Sequence, residues 1–506
     1  MSPFVTALFF LAITASSLAM ASSTKQDLEM VQRAKSMVLQ AMNMSLTLHG
    51  YHNQLIHGNT AKYKKYNEFY HQRVAWSDCA KLYGLAEPRL ARMLENGERC
   101  NHEDALTWLS GALTSHRTCL DGLRERGVDE AQYLPLSQNL TEVLNEALAL
   151  YAKKTNVVRR PKGPSQAQRR PRVDKYIWQL VSWNQANSTA DIVVAKDGSG
   201  NYRSIKEAVD ALPRTTASRG GKRVVVYVKA GVYDEKVEIK WNHKNVMFVG
   251  DGMDKTVVTG HSNIIDGDTI VGSATFVVFG DGFWARDMTF ENIAGPQKHQ
   301  AVALMVASDR SLFYQCSFKG YQDTLFVHSL RQFYRDCQIY GTIDFIFGNA
   351  AVVFQNCDIF VRRPMVHQGN VITAQGRESP NENTGISIHA SRVRPAPEFA
   401  SVKGSFKSFL GRPWRKYSRT IVAKTFLDRL IHPRGWIEWS GDFALSTLYY
   451  AEYMNTGPGA STTGRVKWPG FHVLRDPREV SPFTVRNFIQ GASWITGSGV
   501  PFWYDI

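Results

Sequence analysis

Past residue 21, the 506-residue sequence has no apolar run long enough to cross a bilayer, so no membrane-spanning helix is expected there. It also lacks the spacing of a metal site: no His pair or carboxylate cluster follows a ligand pattern, and neither metal nor other cofactor is expected. No nucleic-acid motif accompanies its surplus of positive charge, 60 Lys and Arg against 45 Asp and Glu. Neither nucleic acid nor membrane is therefore the expected partner, and the basic surface suits an acidic polymer. Cysteine is scarce, six in all, in two groups of three: Cys79, Cys100, Cys119 and Cys316, Cys337, Cys357. An odd count in each group predicts one bridge and one free thiol.

The first 21 residues read as a secretory signal peptide. ALFFLAITASSLA is an apolar run of that length, and Ala19-Met20-Ala21 supplies small residues for cleavage, although no Lys or Arg precedes the run. Export to the extracellular space follows, and with it an oxidising compartment. Asn43, Asn139 and Asn187 open glycosylation triplets.

Residues 25–151 read as an all-α helical bundle. Leu106, Leu109 and Leu113, and again Leu140, Val143, Leu144 and Leu148, recur at helical spacing. No nucleophile stands with a base in this region, and a Cys79–Cys119 bridge would staple two helices. Residues 152–190 read as a basic linker, rich in Arg, Lys, Pro and Gln over residues 152–173. Its dibasic pairs Arg159-Arg160 and Arg169-Arg170 are candidate sites for a processing protease. From Asp191 to the end, residues 191–506 have β texture. Val224–Val228, Val246–Val249, Thr256–Thr259 and Thr275–Phe279 are short strand-like runs, and Ser204–Leu212 is a rare helical pattern. The tail from Phe483 is expected to pack on the outside.

Within this region the text nearly repeats. LFYQCSFKGYQDTLFV is followed by QFYRDCQIYGTIDFIF and then by VVFQNCDIFV. Phe313 recurs as Phe333, and Cys316 as Cys337 and then Cys357, at intervals of 20 or 21 residues. Such a period in short apolar runs predicts a solenoid of stacked β-coils. Residues one period apart would lie roughly 4.8 Å apart. Cys337 and Cys357 are then expected to bridge. Asp323 and Asp344 become neighbours, and repulsion between them would leave one protonated and the other charged near neutral pH. An acid and a nucleophile or base would arise from two identical side chains.

Five segments combine with this pair: GVYDE (Gly231–Glu235), QAVAL (Gln300–Leu304), QDTL (Gln322–Leu325), DFIFG (Asp344–Gly348) and LGRPW (Leu410–Trp414). Asp344 precedes an apolar run where a lone carboxylate is costly, and a cation such as Arg412 would keep it ionised. Together, and in this order, the segments resemble the plant pectin methylesterases, which implies a right-handed parallel β-helix over residues 191–506. WSDCA (Trp76–Ala80), ALTWLSGAL (Ala105–Leu113) and TCLDG (Thr118–Gly122) resemble the pectin methylesterase inhibitor domain that precedes many such enzymes.

The resemblance implies hydrolysis of galacturonate methyl esters of pectin. In it Asp344 is the nucleophile, Asp323 the general acid and then base, and Gln322 and Gln300 the oxyanion donors. Arg412 holds Asp344. Trp414 and Trp436 offer faces to sugar rings, and Phe326 and Thr269 are further substrate contacts. Phe326 stands where relatives commonly have Tyr, and Ile270 where a contacting Thr is common, with Thr269 beside it. The helical region would be an intramolecular inhibitor or folding aid. It departs from the inhibitor family in lacking the first of two cysteine pairs and in carrying Cys100. His299 and His328 flank the site segments and read as structural. A lyase or inverting glycosidase on the same fold would want a Ca²⁺ cluster or carboxylates roughly 6.5–9.5 Å apart, wider than adjacent coils give.

Overall fold

A computed structural model describes the backbone of residues 3–58, 63–96, 100–158, 180–218, 220 and 222–506. It describes the side chains of residues 25–53, 69–95, 100–153, 180–218, 220 and 222–506. The chain divides into two compact units, Met1–Pro164 and Ser165–Ile506.

The first unit consists of helices α1 (Pro3–Gly58), α2 (Tyr63–Asn96), α3 (His102–Glu125) and α4 (Leu134–Val158). Asn101 caps α3 by accepting the Glu103 N–H at 3.0 Å, satisfying one orphan donor of its first turn. Leu106, Leu109 and Leu113 are buried with Leu140, Val143, Leu144 and Leu148, as their spacing predicts. Cys79 and Cys119 form a disulfide that joins α2 to α3. Within this core, His116 Nε2 donates to the Ser137 carbonyl at 3.0 Å, so its Nδ1 accepts from the Tyr83 hydroxyl at 2.9 Å. Burial pushes His116 down to about 4. The side chains of the expected signal peptide and both dibasic pairs lie outside the described residues.

The second unit is a parallel β-helix. Among the described residues, three parallel sheets of eleven, eight and seven strands run along it, and the complete coils visit them in that order. One coil is Ser311–Tyr314, Ser317–Lys319 and Leu325–Val327; the next is Arg331–Arg335, Gln338–Gly341 and Ile346–Gly348. Ser317 pairs with Gln338 and Gln338 with Asp358, so the period is the one the cysteines mark. The apparent recurrence of Phe313 as Phe333 is off by one position. Phe313 pairs with Tyr334, its ring stacked inside at 4.8 Å, whereas Phe333 pairs with Leu312 on the outer face. In a strand, a one-residue slip exchanges the two faces.

A single residue with positive φ turns each coil from the first sheet into the second. Asp287, Gln315, Asp336, Asn356, Ala390 and Lys424 occupy that corner in six successive coils. The residue after each points inward, which stacks Cys316, Cys337 and Cys357 in a buried column. The expected Cys337–Cys357 bridge is not formed: both are free thiols, as is Cys316. In-register side chains leave the backbone parallel, which holds Cβ atoms near the coil spacing of roughly 4.8 Å, beyond the ~3.5–4.5 Å a disulfide requires. The Cys337 thiol donates instead to the Arg335 carbonyl at 3.3 Å.

The helix Ile205–Ser218 covers one end of the solenoid with Ile205, Ala208, Val209 and Leu212. The tail lies outside the first sheet, where Val485, Phe488, Ile489 and Ile495 are buried on its outer face. Leu180 and Trp183 join the same cluster. Arg286 fixes them by donating to the carbonyls of Leu180 at 2.7 Å and Trp183 at 3.1 Å. The end of the stretch that reads as linker is thus docked on the β-helix.

Candidate active site

The seven-stranded sheet carries the site. Strands Leu325–Val327 and Ile346–Gly348 pair with Leu325 opposite Ile346. Two positions back, at the corner from the second sheet, this register sets Asp323 opposite Asp344. The corners are tied together: Asp323 N–H donates to the Ile343 carbonyl at 3.0 Å and Thr342 N–H to that of Tyr321 at 2.9 Å. Both aspartates hold left-handed backbone, φ 62° and 50°, which Asp tolerates better than most residues because its short side chain bonds locally. One coil earlier, Gln300 forms an isolated parallel bridge with Gln322. Four of the five expected core residues therefore lie on three successive corners.

Arg412 reaches them from strand Ser408–Pro413, where it pairs with Ala374, itself paired with Phe347. Its guanidinium grips Asp344 with both arms, Nε to Oδ1 at 2.9 Å and Nη2 to Oδ2 at 2.5 Å. Burial pushes the Asp344 carboxyl up, and the Arg412 fork pulls it back. Burial opposes the charge on Arg412 too, but the hydrogen bond and charge of Asp344 outweigh it, and Arg412 is raised. The pair is an ion pair at neutral pH. Gly411, next to Arg412, is obligatory: a Cβ there would lie 2.2 Å from Thr373 Oγ1. The side-chain amides of Gln300 and Gln322 have no protein partner among the described residues.

Trp414 is half-buried at the edge of this cluster, its ring 6.0 Å from that of Phe347. The other expected substrate contacts are buried. Trp436 is 0% exposed, stacked on Tyr450 at 4.3 Å, with Nε1 donating to Glu452 at 3.2 Å. Its bridge to Gly411 turns it into the solenoid. Phe326 is 1% exposed, stacked on Phe347 at 4.3 Å with His328 5.1 Å away. Thr269 is buried, and its hydroxyl accepts the Gly272 N–H at 2.8 Å inside its own turn. His328 is buried against Ser329, consistent with a structural place. Trp439, which the sequence motifs do not single out, stands beside Arg412 instead. It is 38% exposed, and the Arg412 guanidinium lies 4.3 Å from its ring. Its only signal is position, before the turn Ser440-Gly441-Asp442 and three residues after Trp436.

Two carboxylates, one fixed by a cation, together with two unspent amide donors, make an arrangement suited to acyl transfer. Residues 191–492 match the pectinesterase family. The chain belongs to this family. Residues 13–150 match the plant invertase/pectin methylesterase inhibitor family. Over 526 residues the chain is 53% identical to a probable pectinesterase/pectinesterase inhibitor 36 of Arabidopsis thaliana, covering 98% of this chain and 97% of the relative. Pectinesterase 2 of Citrus sinensis is 52% identical over 432 residues, covering 85% and 82%. The solved structure of a pectin methylesterase from carrot is 50% identical and covers 64% of this chain and 100% of its own, with a TM-score of 0.62. The right-handed parallel β-helix and the helical inhibitor-like domain are thus the two folds of this pectinesterase.

Proposed function

We propose that this pectinesterase hydrolyses the galacturonate methyl esters of pectin through a covalent aspartyl intermediate. The observation that carries the reading is the two-armed Arg412–Asp344 pair set in register with Asp323. Asp344 attacks the ester carbonyl. The amides of Gln300 and Gln322 donate to the oxyanion that develops, adding no acidic proton of their own. The C–O bond to methanol breaks as Asp323 gives the leaving oxygen its proton. Water then attacks the acyl-enzyme and loses a proton to Asp323, releasing Asp344 and the free galacturonate. Carboxylate is a weak nucleophile, so the acceleration comes from positioning and from the oxyanion donors. Trp414 and the exposed Trp439 flank Arg412 and present ring faces to the sugar.

Pectin of the plant cell wall is the expected substrate, reached after secretion. Exposure of Asn43, Asn139 and Asn187 is compatible with glycosylation on that route. The helical domain acts as an intramolecular inhibitor or folding aid, released by a protease at the dibasic linker.

Methanol release from methylesterified pectin tests the reading. The unaltered enzyme should release it, and Asp344→Ala, with an unchanged far-ultraviolet spectrum, should not. Equal release by both would sink the assignment.

A further inference from the structure

Arg412 stands on the last strand of its sheet. Ser408–Pro413 ends the seven-stranded order, so one row of its backbone groups has no full strand to pair with. A short irregular segment fills that place. The His432 N–H donates to the Ser408 carbonyl at 2.9 Å, Leu410 N–H to that of Gly435 at 2.7 Å, and Ile437 N–H to that of Gly411 at 3.1 Å. The last two bonds bracket Gly411, the neighbour of Arg412. The same segment carries Trp439, whose ring lies 4.3 Å from the Arg412 guanidinium.

Three backbone bonds and no regular strand give such an edge little stiffness of its own, and it is pinned from inside the solenoid. Trp436 lies beneath Gly411, where an added Cβ would stand 3.1 Å from the indole Cζ3. One face of the indole stacks on Tyr450, and its Nε1 donates to Glu452 Oε1 at 3.2 Å. Glu452 comes from the first sheet, on strand Tyr449–Tyr453. Arg465 grips it with both arms, Nε to Oε1 at 2.6 Å and Nη2 to Oε2 at 3.1 Å. The guanidinium also donates to the Pro433 carbonyl at 3.0 Å and to that of Gly459 at 2.8 Å, so it holds the start of the segment as well. Gly435 holds a φ of 70° and passes so close that a Cβ would lie 2.3 Å from Arg465 Cδ. Both side chains of the ion pair are 1% exposed, so neither meets the polymer. A buried ion pair adds little stability over apolar packing of the same volume, but its hydrogen bonds have direction. Here that direction fixes the indole, and the indole fixes the edge.

We propose that Glu452 and Arg465 are positioning residues for the reaction: through Trp436 they brace the edge strand that presents Arg412, and so set its grip on Asp344. The proposal rests on the esterase reading for the role of that grip. It gives Trp436 a place in the reaction without contact with sugar.

The test uses the full chain. Trp436→Phe keeps a ring on Tyr450 and removes the N–H that reaches Glu452. It should lower kcat on methylesterified pectin about tenfold with KM unchanged, since a small misplacement remote from the reacting atoms acts on the chemical step. The acidic limb of its kcat/KM profile should move toward alkaline pH, as a loosened Arg412 opposes the burial of Asp344 less. In an Arg412→Lys background the same substitution should cost little more, because the two act through one grip. A profile of unchanged shape, or equal losses in the two backgrounds, overturns the proposal; a merely structural role gives that result with a lowered melting temperature. Glu452→Gln should reproduce the loss, and where it does not fold Trp436→Phe carries the test. Hydrogen exchange of residues 408–414 in the enzyme without substrate reads the brace independently of turnover. It should be about tenfold faster in Trp436→Phe, and unchanged exchange rejects the brace whether or not methanol is released. Faster exchange in a protein that releases no methanol would instead reject the ester chemistry and keep the brace.

Discussion

Asp344 shows how one side chain is kept charged where burial alone would neutralise it. Its carboxyl is buried beside Phe345, Ile346 and Phe347, and the Arg412 fork is the charge that opposes the cost. Arg412→Ala leaves desolvation unopposed, so Asp344 holds its proton to higher pH. The acidic limb of the kcat/KM profile should then move toward alkaline pH, with kcat/KM lowered by about 10²–10⁴ at neutral pH. Arg412→Lys restores a charge but not the two-armed grip, and should recover only part of the loss. A profile of unchanged shape in Arg412→Ala would mean that the guanidinium does not set the ionisation of Asp344. The core set was legible because each member stands in a short motif whose register the repeat fixes. Exposure was not legible. Trp436 and Trp439 are both tryptophans near a turn, and only the bridge of Trp436 to Gly411 decides which one turns inward.

At the scale of elements, the corner between the first and second sheets is the unit of repetition. One left-handed residue and one inward side chain recur there, which is why the pairs Gln315-Cys316, Asp336-Cys337 and Asn356-Cys357 stand one coil apart in the sequence. The period was readable, but the bridge inferred from it was not, because adjacency along a solenoid does not supply the geometry of a disulfide. Thiol titration checks the difference: the denatured, unreduced protein should show four thiols, Cys100, Cys316, Cys337 and Cys357, and the native protein should react at Cys100 alone. Two thiols on denaturation would restore a bridge in the column. The bridge between α2 and α3 closes a loop of 40 residues, worth about 4 kcal/mol on chain entropy. The same helices carry a pH dependence. His116 is lowered in the folded state to about 4, so the unfolded chain takes up the proton first. Its contribution is complete above the ordinary His range near ~6.5 and is lost as pH falls toward 4, on the order of 3 kcal/mol in all. Urea unfolding followed by helical ellipticity should weaken over that window, and His116→Gln should flatten the slope. A slope that His116→Gln leaves unaltered would place the titration elsewhere.

For the whole molecule, the question is where the enzyme begins. The sequence reading puts the β-domain start at Asp191, where the strand-like texture begins after a linker whose charge and proline lie in residues 152–173. Packing puts it earlier. Leu180 and Trp183 lie in the apolar cluster outside the first sheet, and Arg286 holds their carbonyls. Residues 176–183 are apolar rather than basic but too few to show a strand or helix period, so the burial of Leu180 and Trp183 is visible only once the sheet they cover exists. Processing at either dibasic pair leaves both residues on the mature enzyme. A truncated form beginning at residue 180 should therefore match the β-helix of the full chain in melting temperature, while one beginning at Asp191 should melt several degrees lower. Trp183→Ala in the longer form should reproduce most of that loss, about 3–5 kcal/mol. The same pair of forms separates inhibition from instability. If the helical domain restrains the enzyme, the form starting at residue 180 releases methanol faster than the full chain at equal stability. Equal rates would leave the domain a folding aid and discard inhibition. A gain seen only in the form starting at Asp191 would be inconsistent with the docking of Leu180 and Trp183.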